Sequence, residues 1–299
     1  MTRRGLAVAA AVLAACASAR AQEFVDARDL SESLAGIRAA AAAQKAAVRR
    51  PAPLESVMGA GRFHSESLPP AGAAPSAGAD ATPDVRPYPI RGVDISHYQG
   101  AVSWDLVKLA GLSFVYVKAT EGVDGVDDQF ASNWKGAAGA GMLKGAYHFY
   151  NFCKGGAAQA DNFINTVPPD ARALPMTVDL ERSGDCKTMP QKAAFRKSFA
   201  AFVRKIQAAY GHRPVVYLNA AIYDQYFKDE NDSYKLWIAD TSHAAPALSD
   251  SASWTIWQYG WHGRVAGIPG EVDLDVFNGT PQMLASLTGP TDVLVASLR

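Results

Sequence analysis

The 299-residue chain has little that would tie it to a charged polymer, a metal or a bilayer. Basic and acidic residues number 29 each, and no run of Lys and Arg forms a basic stripe, which argues against nucleic acid as the partner. The apolar run near the start, Leu6 to Ala15, is too short to cross a bilayer as a permanent helix. Three cysteines occur, Cys16, Cys153 and Cys186, and neither Cys153 nor Cys186 has a Cys or His at ligand spacing beside it, so no metal and no cofactor is expected. No sequence repeat of about 20–50 residues is evident. Aromatic residues, 10% of the chain, are nearly missing before Tyr88. That absence places the folded core after it.

The first 87 residues hold other signals. Arg3 and Arg4, the Leu6–Ala15 run and Ala19-Arg20-Ala21 together read as an export signal over residues 1–21. Leu13-Ala14-Ala15-Cys16 also resembles a bacterial lipobox, in which Cys16 would be lipidated and attach the protein to a membrane; the alternative is an ordinary signal that contains a cysteine. Either way Cys16 leaves the fold. Cys153 and Cys186 remain as an even pair in an oxidising compartment, so a disulfide is expected, with two buried free thiols as the alternative. Residues 22–87 are Ala-rich and then carry seven prolines from Pro51 to Pro87. They offer too little apolar surface to offset ordering entropy and read as a largely disordered tether. Residues 88–281 are expected to form one domain and 282–299 a tail.

Within that domain, apolar runs alternate with helical stretches. Ile90–Ser96, Phe114–Thr120, Leu143–Tyr150, Leu174–Glu181 and Pro214–Asn219 are each followed by a helix, the signature of parallel βα units. Leu236–Asp240, Trp254–Tyr259 and Val272–Phe277 then follow with loops that hold no convincing helix. Five strands with helices and three without point to an α/β barrel of TIM-like type whose last third is a strand meander.

A site in such a barrel forms at the carboxyl ends of the strands. Asp179 and Glu181 stand two residues apart at the end of the fourth strand, so they share one face with Cα atoms roughly 6.6–7 Å apart. Paired acids at that separation suit cleavage of a glycosidic bond, one protonated to donate to the leaving oxygen and one ionised to steady positive charge at the anomeric carbon. Asp94 and Asp273 lie on the first and eighth strands, which are neighbours in a closed barrel, and would complete a four-carboxyl rim. Crowding raises the proton affinity of at least one of them. A metal site is the competing reading, but neither an Asp/Asn ladder nor His ligands accompany these acids. Lys118, Glu121, Tyr147, Tyr150, Tyr217, Asn219, Trp237 and Gln258 also fall at strand ends and are expected to bind substrate. Tyr98, Trp257, Tyr259 and Trp261 join them as aromatics, of which about half are expected to be core. His148 reads as a structural histidine, and His97 and His262 as loop residues.

These residues resemble a known family, the Chalaropsis-type lysozymes of glycoside hydrolase family 25. The matching pieces are Gly92-Val93-Asp94-Ile95-Ser96 with Gln99-Gly100, Val117 to Gly122, Gly145 to Phe149, Val178 to Glu181, Ile256 to Tyr259 and Val272 to Gly279. They come in the family's order across residues 90–280. The resemblance implies a flattened (β/α)5β3 barrel and N-acetylmuramidase activity on peptidoglycan, with Glu181 as general acid, Asp179 steadying the substrate acetamido group, and Asp94 and Asp273 completing an acidic floor. It departs at Asp275, where the family often has Asn. An exported, monomeric enzyme is expected, periplasmic, on the outer membrane as a lipoprotein, or secreted. The alternatives are a barrel that binds the cell wall without turnover and a glycosidase for another N-acetylated glycan.

Overall fold

The computed structural model describes residues 83–230 and 232–289. The expected export signal with its Cys16 lipidation, all but the end of the tether, and residues 290–299 lie outside them. Five strand–helix units open the domain. They are β1 (Ile90–Ile95) with α1 (Trp104–Leu109), and β2 (Phe114–Glu121) with a short hairpin strand β3 (Gly125–Val126) and α2 (Phe130–Gly139). Then come β4 (Leu143–Phe149) with α3 (Gly156–Thr166), β5 (Thr177–Leu180) with α4 (Lys192–Tyr210), and β6 (Val215–Asn219) with α5 (Ala220–Tyr226). Three strands without intervening helices follow, β7 (Leu236–Ala239), β8 (Ile256–Gly263) and β9 (Val272–Phe277), before a short α6 (Pro281–Ala285).

The sheet order is β1-β9-β8-β7-β6-β5-β4-β2, with β2 pairing back to β1, so eight strands close a flattened (β/α)5β3 barrel. The hairpin strand β3, which the sequence pattern did not reveal, hangs on the edge of β2. Strand β9 runs antiparallel to both β8 and β1, while the other barrel pairings are parallel. Reversal has a consequence for the site. Asp273 reaches the rim from the amino end of its strand, and it pairs directly with Asp94 in the β1–β9 register.

Strand alternation splits each barrel strand between two cores. Outward residues such as Val93, Ile95, Val115, Val117, Val178, Leu180, Val216 and Leu218 pack under the helices. Inward residues such as Ile90, Phe114, Tyr116, Val215, Trp237, Ile256 and Phe277 fill the barrel. Glycine makes that filling possible: a Cβ at Gly145 would lie 2.1 Å from the Tyr116 ring, and one at Gly92 2.4 Å from that of Phe114. Helix α4 presents Phe195, Phe199, Phe202, Val203 and Ile206 along one stripe and stops at Gly211, whose φ of 79° suits a residue without Cβ.

The same alternation corrects one expectation. Tyr150 lies three residues from Tyr147, so it must point the other way, and it is buried against Phe152, Phe195, Phe199 and Phe202 with its hydroxyl on Ser198 Oγ at 3.0 Å. It is a core residue, not a substrate contact. His148 is buried between Thr120 Oγ1 and Gln159 Oε1, as a structural histidine should be. His262 belongs to β8 rather than to a loop. The domain edges also move outward: Val85 packs with Trp257 and Val276, and Leu284, placed in the expected tail, is buried at the end of the barrel with Ile90 and Phe277.

Cys153 and Cys186 form a disulfide with Cα atoms 5.4 Å apart. It joins the loops that leave the neighbouring strands β4 and β5, beside Glu181. The alternative of free thiols is thereby excluded.

Candidate active site

The carboxyl ends of the parallel strands surround a cavity of about 210 Å³. Asp94, Asp179, Glu181 and Asp273, the four acids expected on the rim, all line it. So do Lys118, Tyr147, Tyr217, Trp237 and Gln258. Two expected contacts stand just outside. Glu121 lies in a neighbouring depression, where it accepts from Lys118 Nζ at 2.8 Å. Asn219 borders a second depression, and its side-chain oxygen accepts from Ile222 N at 3.0 Å, which makes it the N-cap of α5. Phe149 and Thr177 line the cavity without having been singled out, although each shares a strand face with a residue that was, Phe149 with Tyr147 and Thr177 with Asp179. Tyr98, 82% exposed, forms a lip, its ring 4.1 Å from that of His97.

Burial dominates the electrostatics. It pushes the Asp179 carboxyl well above its ordinary range, and the Glu181 and Asp94 charges add to the push while Lys118 opposes it. Glu181, half-buried at the mouth, is also raised by burial, against a hydrogen bond with Asp179 and the pull of Lys118. Asp273 rises to about 8 through burial and then the charges of Asp94 and Glu181. Asp94 rises to about 6 through burial, moderated by hydrogen bonds with Gln258 and Asp275. A cavity walled by so many carboxyls therefore retains protons at neutral pH.

Gln258 ties the opposite wall together. Its Nε2 donates to Asp94 Oδ2 at 2.9 Å, and its Oε1 accepts from Tyr217 OH and from Trp261 Nε1, both at 2.9 Å. Trp237 donates through Nε1 to Asp275 Oδ1 at 2.9 Å, and its ring is 4.9 Å from Tyr116 and 5.1 Å from Tyr217. Asp179 Oδ1, by contrast, is buried with no hydrogen-bond donor.

A closed α/β barrel carrying paired, proton-holding carboxyls at the carboxyl ends of its strands is the architecture of a barrel glycosidase. The sequence profile described as Glycosyl hydrolases family 25 matches residues 93–268. Lysozyme M1 of Streptomyces globisporus is 35% identical over 212 residues, 68% of this chain and 72% of that one. The N,O-diacetylmuramidase of Chalaropsis sp is 31% identical over 62% of this chain and 96% of its own. Among solved structures, a family 25 glycosyl hydrolase from Bacillus anthracis superposes with a TM-score of 0.64 at 34% identity, covering 67% of this chain and 94% of that one. The chain belongs to glycosyl hydrolases family 25 and is a glycoside hydrolase.

Proposed function

We propose that the protein is a lysozyme that hydrolyses the β-1,4 bond between N-acetylmuramic acid and N-acetylglucosamine in peptidoglycan. The observation that carries the chemistry is the Asp179–Glu181 pair: Asp179 is buried on β5 with an Oδ1 that has no donor, and Glu181, half-buried just beyond the strand, raises its hold on a proton. An N-acetyl sugar brings an amide N–H that suits that oxygen. Its arrival stabilises ionised Asp179, lowers that residue's hold on a proton and leaves the proton on Glu181. Glu181 then donates it to the leaving glycosidic oxygen as the acetamido carbonyl oxygen attacks the anomeric carbon. The departing sugar carries the proton away, and Glu181, now a carboxylate, takes one from the water that opens the ring intermediate. Configuration is retained. Asp94 and Asp273 keep the floor acidic, while Lys118, Tyr147, Tyr217, Trp237 and Gln258 shape the sugar site.

Reducing-end release and mass-resolved products from purified peptidoglycan test this reading, comparing wild type with Glu181→Gln. Fragments ending in reducing N-acetylmuramic acid, absent with the variant, are expected. A folded wild-type protein that sediments with the wall but releases nothing would instead identify a binding barrel, and turnover confined to chitin a different glycosidase. Inverted product by NMR, or undiminished cleavage of de-N-acetylated glycan, would overturn the substrate-assisted step. The same proposal includes export through residues 1–21, with 22–87 as a tether and Cys16 as a lipid attachment point or a residue lost with the signal. A disulfide between Cys153 and Cys186 fits an oxidising compartment. Cell fractionation and the mass of the mature amino terminus decide between these fates.

A further inference from the structure

Asp275 lies midway along β9, paired with Gly92 of β1 and Gln258 of β8, below the catalytic cavity and 0% exposed. Its Oδ1 accepts from Trp237 Nε1. Its Oδ2 is buried and meets no N–H or O–H donor among the described residues. Asp275 and Asp94 are diagonal neighbours on one face of the β1–β9 ladder, since Asp94 pairs with Asp273 and Gly92 with Asp275, and each carboxyl bears on the other's proton affinity. Two buried carboxyls so placed are stable together when one of them carries a proton and donates it in a hydrogen bond to the other.

The surroundings decide which. The charges that bear on Asp275 are Asp94 on β1 and Asp273 on its own strand, both of its own sign. The other titratable side chains that feel it are the phenols of Tyr116 on β2 and Tyr259 on β8. Among the described residues no cation bears on Asp275 to offset the burial of a charge there, so the ionised form is strongly disfavoured. Each acid accepts one neutral donor that favours its anion, Asp94 from Gln258 Nε2 and Asp275 from Trp237 Nε1, but Asp94 lines the cavity whereas Asp275 does not and is 0% exposed. The proton belongs to Asp275.

We propose that Asp275 is a positioning residue that stays neutral through the reaction and donates its O–H to Asp94, holding Asp94 as the oriented anion of the catalytic floor. Asp94 is then gripped from below by Asp275 and from the side by Gln258. With its Nε2 committed to Asp94, Gln258 must turn Oε1 outward, where Tyr217 and Trp261 donate to it. One buried proton thereby orients a hydrogen-bonded chain that runs from Trp237 in the barrel interior to Tyr217 and Trp261 at the cavity edge. This role rests on the place of Asp94 in the proposed floor, whereas the protonation of Asp275 does not.

The test joins infrared spectroscopy to kinetics. The wild-type minus Asp275→Asn difference spectrum at neutral pH should contain a carboxylic-acid C=O band and no matching carboxylate band. A carboxylate band alone would show Asp275 to be ionised and would overturn the proposal, whatever the protein's substrate. In kinetics on peptidoglycan, Asp275→Asn keeps a neutral donor and should stay within about threefold of wild type, with both limbs of the pH profile unmoved. Asp275→Leu removes the donor to an anion and should lower kcat by about tenfold or more, with the acid limb displaced to higher pH as Asp94 loses support. A large loss in Asp275→Asn, or a moved acid limb in that variant, would mean that the charge of Asp275 is needed and would sink the neutral-donor role. If the Leu variant does not fold, the Asn variant and the infrared bands still decide.

Discussion

Two pairs of acids face each other across the barrel, and they differ in what can reach them. Asp179 on β5 and Glu181 just beyond it stand together at the cavity, with a donorless oxygen on Asp179 and Glu181 at the mouth. Asp94 and Asp275 on β1 and β9 are met by donors from Gln258 and Trp237 and sit under a hydrogen-bonded chain. Burial raises all four, so proton affinity alone does not distinguish reacting groups from supporting ones. Reach does. Each pair leaves one oxygen without an N–H or O–H donor, Asp179 Oδ1 and Asp275 Oδ2; Asp179 lines the cavity a substrate would enter, whereas Asp275 does not and is supported only by the protein.

The sharpest way to break this contrast is to neutralise one member of each pair. Glu181→Gln keeps the shape of the proposed acid without its proton and should cost about 10²–10⁴-fold in rate on peptidoglycan, against the near-normal turnover expected of Asp275→Asn. Reducing-end assays on both variants, with unfolding midpoints to confirm the fold, read the two directly. Comparable losses would erase the distinction between the walls.

Asp273 gives a second test, in stability rather than rate. Burial holds its carboxyl at about 8 in the folded protein, above its ordinary value of 3.8. Between those values the folded chain keeps a proton that the unfolded chain has lost, so stability falls as pH rises through that window and is fully present below it. Asp273→Asn has no such proton to lose. Urea unfolding should show the variant equal to wild type below pH 4 in this respect and more stable at pH 8, by on the order of a few kcal/mol. Curves that stay parallel across the window would show that Asp273 is ionised without penalty.

Much of this is legible in the sequence, and the boundary of legibility is physical. Period-two alternation places Asp179 with Glu181, and Asp94, Asp273 and Asp275 on inward faces, because it depends on one strand at a time. It also separates Tyr147 from Tyr150, so the two cannot both face the cavity, and it is Tyr150 that packs under the helices. Asn219 carries a signal of its own, since Asn ahead of a helical stretch is a favoured N-cap, and its place at a strand end does not outweigh it. What no single strand reveals is register. That Asp94 faces Asp273, or that Trp237 reaches Asp275 from two strands away, follows from barrel closure and the reversal of β9. Strand β3 is not legible because two residues, one of them a glycine, carry no periodicity.

Trp261 offers the smallest and most discriminating test, because it stands where the Gln258 wall meets the cavity edge. Its indole N–H donates to Gln258, while its ring, 52% exposed, faces a depression that Glu181 and Tyr217 also line. The two roles are separable by chemistry. Trp261→Phe keeps a ring and deletes the donor; Gln258 Oε1 still accepts from Tyr217, so Asp94 stays held and kcat should change by less than about threefold. Trp261→Ala deletes the ring as well, and if that ring carries a sugar face, KM should rise by about tenfold with kcat nearly kept. Equal losses in the two variants would assign Trp261 to the network alone. A fall in kcat with Phe would show that one hydrogen bond from Tyr217 does not hold Gln258, and that the outer end of the chain governs the orientation of Asp94 as much as the buried proton beneath it.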